Sequence, residues 1–349
     1  MSDLPNITFG IIVLNGEPFT RYCLRALYPF AHEIIVIEGA CRAAAAIASP
    51  EGHSTDSTLE TLQRLKAEED PENKLSIITA EQRGYLNGFW PGGKDEMSQA
   101  YAERATGDYL WQVDIDEFYH PEDIRTVLRK LSNDRSASGV SFYWQNFWGG
   151  FDYLVDGWEY RDLVRRMNGI RRLFRWGNGY RYASHRPPTV VDDQNQDLCT
   201  LNWIGPQETG RMGIFCYHYG MVFPRQARQK TLYYQKMWKN CENMDVWYRD
   251  SYLELRHPFR VLHGTKPPSW LEQFKGNHPT EIQKMIEDCQ QGSIKMEQRS
   301  TNDIDRLLSS YRYKASVSLL HYLYYFIVLM KQGSDMHQLS RFIFPRRAK

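Results

Sequence analysis

The most informative segment of the chain runs from Arg104 to Ile124 and reads RATGDYLWQVDIDEFYHPEDI. Its residues Tyr109–Val113 are typical of a buried strand, which leads directly into Asp114-Ile115-Asp116-Glu117. Two carboxylates at positions i and i+2 after such a strand lie at its exposed end, where they can hold a hard divalent cation through oxygen ligands. The segment therefore predicts a strand that ends in a cation-binding turn.

Strand and helix patterns alternate in the chain before this segment. Apolar runs at Ile7–Leu14 and Glu33–Ile37 predict two buried parallel strands, and Leu75–Thr79 predicts a third. A helical pattern follows each of them, beginning near residues 19, 58 and 93. This order predicts an α/β fold with a mostly parallel sheet and helices on both faces.

Polar side chains follow several of these predicted strands. Asn15, Glu38 and the acidic turn at 114–117 all lie where a strand ends. Ligands of parallel sheets bind at the carboxyl ends of the strands. We therefore expect these residues to lie close together at a binding site.

The composition excludes several classes of protein. The 349 residues carry 43 Lys plus Arg and 42 Asp plus Glu, and this balance gives no electrostatic basis for binding nucleic acid. The six cysteines form no CxxC pair, which predicts reduced thiols in a cytoplasmic protein. The start of the chain lacks the pattern of a secretory signal, and the longest apolar run, Leu319–Met330, is too short to span a membrane.

Several of these segments together resemble the GT-A glycosyltransferases, in particular the family 2-like group. Residues 11–27 (IIVLNGEPFTRYCLRAL) are similar to the first strand and helix of the family, 33–39 (EIIVIEG) to its second strand, and 54–58 (STDST) to its Gly-Ser-Thr-Asp turn. The similarity is closest over 104–124, spans about the first 130 residues, and returns more weakly at 171–185 and 218–220.

The resemblance implies a GT-A fold, a Rossmann-like sheet of nucleotide-diphospho-sugar transferases with a C-terminal helical region. Residues 1–223 would form the catalytic domain, with a donor-binding half (1–130) and an acceptor half (131–223). The aromatic, strand-like pattern between Val140 and Gly220 suits the acceptor half. Residues 224–349, which have helical patterns, would form the C-terminal extension.

The implied activity is the metal-dependent transfer of a sugar from a nucleotide-diphosphate donor to a glycan or another hydroxyl acceptor. Mn²⁺ or Mg²⁺ would be held by Asp114 and Asp116, with His218 as the first candidate for a further ligand and His185 as the second. UDP is the first expectation for the nucleotide, and GDP and dTDP stay open, because Glu38 could accept a hydrogen bond from uracil or guanine alike.

The resemblance places the donor along the ends of the strands. Arg83 and Lys94 are candidates to pair with phosphate oxygens, although each could equally be a solvated surface charge. Asp56 could contact the donor or only cap its helix. The family shows Arg-Asn where this chain has Ser98-Gln99, which removes one expected donor contact. The full set of expected donor-binding residues is Leu14, Asn15, Glu17, Glu38, Asp56, Arg83, Lys94, Asp114 and Ile115.

An inverting enzyme needs a carboxylate base that takes the acceptor proton. Relatives often carry a His-Glu pair after the strand at 171–175, but this chain has His185-Arg186. Glu159 is the first candidate for the base and Asp152 the next, with Asp192 and Asp193 also at plausible distances, and Asp116 is expected to be catalytic through the cation. Retaining chemistry stays open.

Aromatic residues are concentrated in two regions of the sequence. Trp144 and Trp148 are expected to stack on an acceptor sugar. The region Leu319–Met330, followed by the basic residues 341–349, suits either a helix packed on the domain or on a second copy, or peripheral membrane contact with a lipid-linked acceptor. The Ala-rich insertion at 41–53 is expected to wall the base pocket or to form a lid, because it follows Glu38.

Two other functions fit the sequence less well. A nucleotidyltransferase would carry a Gly-rich phosphate loop after the first strand, and the turn Asn15–Pro18 has a single glycine. A sugar-binding or scaffold protein of the same fold, without turnover, is compatible with the missing His-Glu acid, but the intact pair of aspartates argues against it.

Overall fold

The computed structural model describes residues 4–158, 169–237, 243–262 and 267–332, and within them eleven strands form one sheet. Two further strands, β9 and β10, pair with each other. The strands are β1 (Ile7–Val13), β2 (Glu33–Glu38), β3 (Leu75–Ile78), β4 (Tyr109–Asp114), β5 (Glu117–Phe118), β6 (Gly139–Trp148), β7 (Tyr153–Gly157), β8 (Ile170–Arg175), β9 (Arg181–His185), β10 (Pro188–Val191), β11 (Trp203–Ile204), β12 (Phe215–Met221) and β13 (Ser269–Gln273).

The helices connect and cover these strands. They are α1 (Thr20–Leu27), α2 (Thr58–Glu68), α3 (Gly93–Ala102), α4 (Pro121–Asn133), α5 (Pro206–Arg211), α6 (Pro224–Met237), α7 (Met244–Trp247), α8 (Thr280–Gln290), α9 (Asn302–Ser309) and α10 (Tyr311–Gln332). Short 3₁₀ turns lie between them, including one at Arg42–Ile47 in the Ala-rich insertion.

The strand order β13-β7-β6-β8-β4-β1-β2-β3 combines two kinds of pairing. The neighbours β4, β1, β2 and β3 are parallel, whereas β8 runs antiparallel to both β4 and β6. The predicted α/β fold is therefore confirmed, with its parallel part in the first third of the chain. The antiparallel strands extend the sheet beyond β4.

The first strand lies at the centre of the parallel part because its side chains are apolar on both faces. Phe9 packs against Trp111 of β4 with the rings tilted and their centroids 5.5 Å apart. On the strand's other face α3 packs so closely that a Cβ atom on Gly10 would lie 2.5 Å from the Tyr101 ring. This packing holds β1 and α3 in fixed positions beneath the carboxyl ends of the strands.

A crevice forms at the carboxyl end of β1, where the connections to the neighbouring strands leave toward opposite sides. Strand β1 has β2 on one side and β4 on the other, both parallel to it. The connections from these strands therefore diverge, and their carboxyl ends are left uncovered between them. Asn15 and the turn at 114–117 lie at this point of the sheet.

The C-terminal residues contribute to the sheet as well as to the helices. Strand β13 pairs antiparallel with β7, from Ser269 opposite Gly157 to Gln273 opposite Tyr153. A break at Ser310 separates α9 from α10, because Ser310 has an extended backbone (ψ 125°) and its Oγ accepts a hydrogen bond from the Tyr313 N–H.

Helix α10 packs on the sheet edge through one side only. Tyr313 and Tyr324 are buried, whereas Leu319, Tyr322 and Phe326 are each more than half exposed, so the predicted packing of this aromatic run holds for part of it. No helix in the described ranges is long and apolar enough to cross a membrane. The basic residues 341–349 lie outside the described ranges.

Candidate functional site

A cavity of about 880 Å³ opens at the carboxyl ends of β1 and β4. Its floor consists of the turns that follow these two strands, and its walls consist of β8, the β9–β10 hairpin, α6 and the 3₁₀ turn of the Ala-rich insertion. The sequence-predicted residues that line it are Leu14, Asn15, Lys94, Asp114, Ile115, Asp116, Trp144, His185 and His218.

Asn15 organises the turn after β1. Its backbone is left-handed (φ 55°), a conformation that Asn tolerates better than most residues. Its side-chain Nδ2 donates to the Ile47 carbonyl at 2.6 Å, and its Oδ1 accepts from the Thr55 N–H at 2.7 Å. Asn15 thus connects the Ala-rich insertion to the turn that precedes α2. Both groups of its side-chain amide are engaged in these hydrogen bonds, which hold the cavity wall together.

The first carboxylate of the acidic turn belongs to a buried ionic cluster. Arg172, on β8 and only 2% exposed, donates to Asp114 at 2.9 Å and also to the fully buried Glu117. Burial alone would raise the pKa of Asp114, but Arg172 and then Lys94 outweigh it and hold the pKa below its ordinary value. Burial raises the pKa of Glu117 despite the same arginine. Asp114 is therefore a fixed, ionised carboxylate.

The second carboxylate faces a histidine and a lysine. Asp116 Oδ1 lies 3.5 Å from His218 Nε2, and its Oδ2 accepts from Lys230 Nζ at 3.1 Å. Burial would raise the pKa of Asp116, but the lysine and then the histidine hold it well below its ordinary value. Asp116 is consequently ionised, and both of its oxygens face donor groups or the cavity.

Strand pairing positions His218 for this contact. In β12 it lies opposite Glu117 of β5 and opposite Asn146 of β6. Its Nδ1 shares a hydrogen bond of 2.6 Å with the Asn146 Oδ1, and its Nε2 lies on the side of Asp116. A histidine held through one nitrogen so that the other is available is the usual arrangement of a metal ligand.

Gly220 provides the space in which these three side chains meet. A Cβ atom at this position would lie 2.0 Å from Lys230 Nζ, 2.6 Å from His218 Nε2 and 2.9 Å from Asp116 Oδ2. The ammonium, the imidazole nitrogen and the carboxylate therefore converge on one small volume that any larger residue would fill.

This donor set fits a divalent cation. Asp116 offers a carboxylate oxygen and His218 an imidazole nitrogen, and both point into the volume above Gly220. In the described ranges the cavity holds no cluster of three such side chains. Two protein ligands leave coordination positions for phosphate oxygens and water, which is the common arrangement for a cation that is bound together with a nucleotide.

Two cations on the cavity wall form no direct salt bridge with a carboxylate among the described residues, although both interact with Asp114 at longer range. Lys94, at the start of α3, lies 5.5 Å from the centre of the Tyr233 ring, and Arg186 follows β9. Burial, followed by repulsion from Arg186, lowers the pKa of Lys94. The hydrogen bonds of the two aspartates go to Arg172 and Lys230, and Arg186 has a hydrogen bond with Tyr234. Lys94 and Arg186 therefore face the cavity as positive charges that suit an anionic ligand.

The phenol of Tyr234 lies in the positive electrostatic potential of the cations in this part of the cavity. Burial would raise the pKa of its phenol, but Arg186, Lys230 and Lys94 together outweigh burial and lower it. A buried tyrosine with a depressed pKa indicates that this corner of the cavity stabilises negative charge.

His185 lies on the cavity wall beside these cations. Its Nδ1 shares a hydrogen bond of 2.7 Å with Ser98 Oγ, and its backbone N–H donates to the Asp95 Oδ1. Burial and then repulsion from Lys94 lower its pKa to about 3, so the imidazole is neutral. The structure brings His185 to the site, where its hydrogen bonds go to Ser98 and Asp95 of α3.

The two tryptophans expected at the acceptor occupy different environments. Trp144 lines the cavity, stacks on His218 with ring centroids 5.5 Å apart and donates its Nε1–H to Glu117. Trp148 is only 1% exposed and packs edge-on against Tyr252 in a separate core cluster. Trp148 is therefore unavailable for stacking on an acceptor sugar in this structure.

Glu38 lies beneath the cavity and is fully buried. Its Oε1 accepts from the Ser54 N–H at 2.8 Å, and its Oε2 lies 2.8 Å from His53 Nδ1. Both oxygens are thus engaged by the segment that follows the Ala-rich insertion. In this arrangement Glu38 holds that segment in place and does not reach the cavity.

Three other expected donor residues lie outside the cavity lining. Asp56 accepts from the Thr58 N–H at the start of α2, which is the capping role considered above. Glu17 is mostly buried beside Asp56, and burial raises its pKa. Arg83 forms an ion pair of 2.9 Å with Glu103 at the surface.

The candidates for the acceptor base are placed away from the reacting space or outside the described ranges. Asp152 is exposed near β13, where its carbonyl accepts from the Phe274 N–H. Asp192 and Asp193 belong to the turn after β10, which Asp192 closes by accepting from the Gln194 N–H. Glu159 lies outside the described residues. Among described residues, the carboxylates that line the cavity are Asp114 and Asp116.

Sequence reasoning missed the contribution of α6. Lys230 of this helix reaches Asp116 across 114 positions of sequence, and Arg172 reaches the acidic turn across 58. One signal was present, because polar residues at i, i+3, i+4 and i+7 form one face of a helix. The residues with this spacing that line the cavity are Gln226, Gln229, Lys230 and Tyr233.

Comparisons with known proteins give structural likenesses only. No protein-family model and no curated protein matches the sequence. Among solved structures, the chain is similar to a mannosyltransferase from Pyrobaculum calidifontis in complex with GDP-Man and Mn²⁺, with 14% identity over 96% of this chain and 89% of that chain, at a TM-score of 0.40. It is also similar to S. aureus TarS, with 10% identity over 73% and 74% of the two chains and a TM-score of 0.38.

A third similar structure is glucosyl-3-phosphoglycerate synthase from Mycobacterium tuberculosis in complex with Mn²⁺, UDP and glucosyl-3-phosphoglycerate. The identity is 18% and the TM-score 0.29, and the match covers 40% of this chain and 44% of the synthase, which is less than half of its length. These superpositions are loose, so the assignment of the site depends on this chain's own residues.

Proposed function

We propose that the protein is a metal-dependent glycosyltransferase, which moves a sugar from a nucleotide-diphosphate sugar to a glycan or another hydroxyl acceptor. The observation that carries this proposal is the convergence of Asp116 and His218 on open space, beside the cations Lys94 and Arg186 of the cavity wall, at the carboxyl ends of β1 and β4. A diphosphate needs both kinds of partner, a divalent cation and basic side chains. The sequence resemblance to GT-A glycosyltransferases supports the same reaction class.

The cation would be held by the Asp116 carboxylate and the His218 Nε2. An oxygen and nitrogen donor set favours Mn²⁺ over Mg²⁺. When bound, the cation neutralises the negative charge that develops on the leaving diphosphate. Asp114, which Arg172 holds in its ionised form, orients the donor from the floor of the cavity.

The donor phosphates would bind to Lys94 and Arg186, and the nucleoside would lie against the Ala-rich insertion. Ala44 and Ile47 of that insertion line the cavity beside Leu14. UDP remains the first expectation, with GDP and dTDP as alternatives, because Glu38 lies beneath the wall and does not select the base directly.

The acceptor side of the site is less complete. Trp144 presents a ring to the cavity, which suits the apolar face of a sugar. Both described carboxylates of the cavity are already paired with cations, so Glu159 stays the first prediction for the base. The anomeric configuration of the product tests whether the reaction is inverting or retaining.

A lipid-linked acceptor would agree with membrane contact through the exposed side of α10. The same side of α10 could instead pair two copies of the chain. Liposome flotation tests the membrane contact, and sedimentation tests the dimer.

The proposal is tested by incubating the purified protein with Mn²⁺ and UDP-, GDP- or dTDP-sugars, and by measuring the released nucleoside diphosphate. One nucleotide should support release that requires Mn²⁺, and Asp116→Asn should lower the rate by at least about 100-fold, since it removes charge stabilisation of the leaving group. Glu60→Gln, which removes an exposed carboxylate on α2, is the control and should leave the rate unchanged.

Three other results would contradict the proposal. Release that survives Asp116→Asn would exclude this carboxylate as the cation ligand. Binding of a nucleotide sugar without any release, with or without added glycans, would favour a sugar-binding protein. Pyrophosphate release from a nucleoside triphosphate in the presence of a sugar phosphate would favour a nucleotidyltransferase.

A further inference from the structure

We propose that Lys230 closes the cation site until a nucleotide diphosphate arrives, so that the cation and the donor must bind together. The inference rests on the proposed function, because it takes Asp116 and His218 as the ligands of the cation. Lys230 belongs to α6, outside the acidic turn and outside the segments that carry the sequence resemblance.

The geometry places the lysine in the volume that the cation needs. Lys230 Nζ donates to Asp116 Oδ2 at 3.1 Å, on the same carboxylate whose other oxygen lies 3.5 Å from His218 Nε2. A Cβ atom on Gly220 would be within 3 Å of all three of these atoms. An ion bound to Asp116 and His218 would therefore be in direct contact with the ammonium.

Electrostatics makes the two occupants mutually exclusive. The carboxylate and the ammonium are both largely withdrawn from water, so the repulsion between Lys230 and a divalent ion is weakly screened. Asp116 can neutralise one of these cations at close range but not both. For the ion to enter, the Lys230 ammonium has to leave the carboxylate.

A diphosphate gives the displaced lysine a new partner. The corner of the cavity near Tyr234 is already positive, because Lys94, Arg186 and Lys230 lie there together, and these cations lower the pKa of that phenol. Without an anion, a further two positive charges in this corner are unfavourable. With a diphosphate present, Lys230 can pair with a phosphate oxygen while the ion takes Asp116, and the total charge is balanced.

The consequence is a coupling between the two ligands. Mn²⁺ alone should bind weakly, and UDP should raise its affinity; by linkage, Mn²⁺ must raise the affinity for UDP by the same factor. Replacing Lys230 with a neutral side chain of similar length should remove the competition. The variant should then bind Mn²⁺ in the absence of a nucleotide.

The experiment measures Mn²⁺ binding to the full chain by isothermal titration calorimetry, with and without saturating UDP, GDP or dTDP. Lys230→Met should bind Mn²⁺ alone on the order of tenfold more tightly than the wild type, and the nucleotide-induced gain should shrink by a similar factor. Lys230→Arg, which keeps the charge, is the matched control and should behave like the wild type. If Lys230→Met binds Mn²⁺ no more tightly, while Asp116→Asn abolishes binding, the lysine does not close the site.

Two further measurements keep the outcomes distinct. Gly220→Ala fills the shared volume without removing a ligand, so it should abolish Mn²⁺ binding in the wild type and in Lys230→Met. The thermal melt of each variant checks that it is folded. Undiminished Mn²⁺ binding would overturn the placement of the ion. If Lys230→Met gains Mn²⁺ affinity but no nucleotide changes that affinity and no sugar is released, the exclusion by lysine stands and the proposed transferase function fails.

Discussion

Replacing Arg172 with Met should destabilise the protein far more than the same replacement at its neighbour Arg171. Arg172 is 2% exposed and donates to Asp114 and to the fully buried Glu117, so its removal leaves two carboxylates without their cation. Arg171 forms one ion pair with Asp197, in which both side chains are 29% exposed. The two substitutions therefore remove the same chemical group from adjacent positions of β8 in different environments.

The expected magnitudes differ several-fold. Breaking a buried ion pair by removing one partner costs about 3–5 kcal/mol, whereas a surface pair contributes about 0–1 kcal/mol. For a chain of this size, 1 kcal/mol lowers the melting temperature by roughly 2 °C. We expect a fall of about 6–10 °C for Arg172→Met and of no more than about 2 °C for Arg171→Met, measured by circular dichroism at pH 7.

The pH dependence gives an independent check. Because Arg172 holds the pKa of Asp114 below its ordinary value, this carboxylate adds stability above the pKa of the unfolded chain and loses it as the pH falls through the depressed pKa. Arg172→Met lacks this contribution, and protonation of Asp114 and Glu117 relieves its unpaired charges. The difference in melting temperature between the two proteins should be largest at pH 7 and smaller at about pH 4.5.

Equal melting temperatures for the Arg172 and Arg171 variants at pH 7 would refute this reasoning, since the buried carboxylates would then have another source of stabilisation. A difference that stays constant between pH 7 and pH 4.5 would show that lost packing, and not unpaired charge, causes the effect.

Three further predictions concern the cavity and its surroundings. Trp148→Ala should cost about 3–5 kcal/mol in denaturant unfolding and leave UDP affinity unchanged, because the ring lies in the core; a loss of affinity without a loss of stability would place it at the site instead. Deleting residues 42–49 should weaken donor binding more than it lowers the melting temperature, since Ala44 and Ile47 line the cavity, and the reverse result would make the insertion structural. Lys94→Met should weaken UDP binding by about 10- to 100-fold in calorimetry through loss of a charge-assisted hydrogen bond, and an unchanged affinity would contradict its role at the phosphates.

Local sequence patterns were sufficient to predict the parallel part of the fold. The apolar runs of β1, β2 and β4 are continuous because these strands are buried on both faces. The same logic places Asn15 and Asp114 at one edge of the sheet, because the carboxyl ends of parallel strands coincide.

Residues that reach the site through long-range pairing were beyond these patterns. Arg172 and Lys230 meet the acidic turn only after β8 and α6 have packed, and no local period records such a contact. Trp144 and Trp148 lie on one strand at an even spacing, yet β6 pairs with β8 along its first half and with β7 and β12 further on. The change of neighbours leaves one ring in the cavity and the other in the core.

Pairing between β7 and β13 has a consequence for protein engineering. A version shortened to residue 223 would lack β13 and leave the β7 backbone as an open edge, which is a template for aggregation. It would also lose α8, whose Asp288 bonds to Arg21 of the first helix. Chimeras between related chains should therefore take β7, β13, α1 and α8 from a single parent.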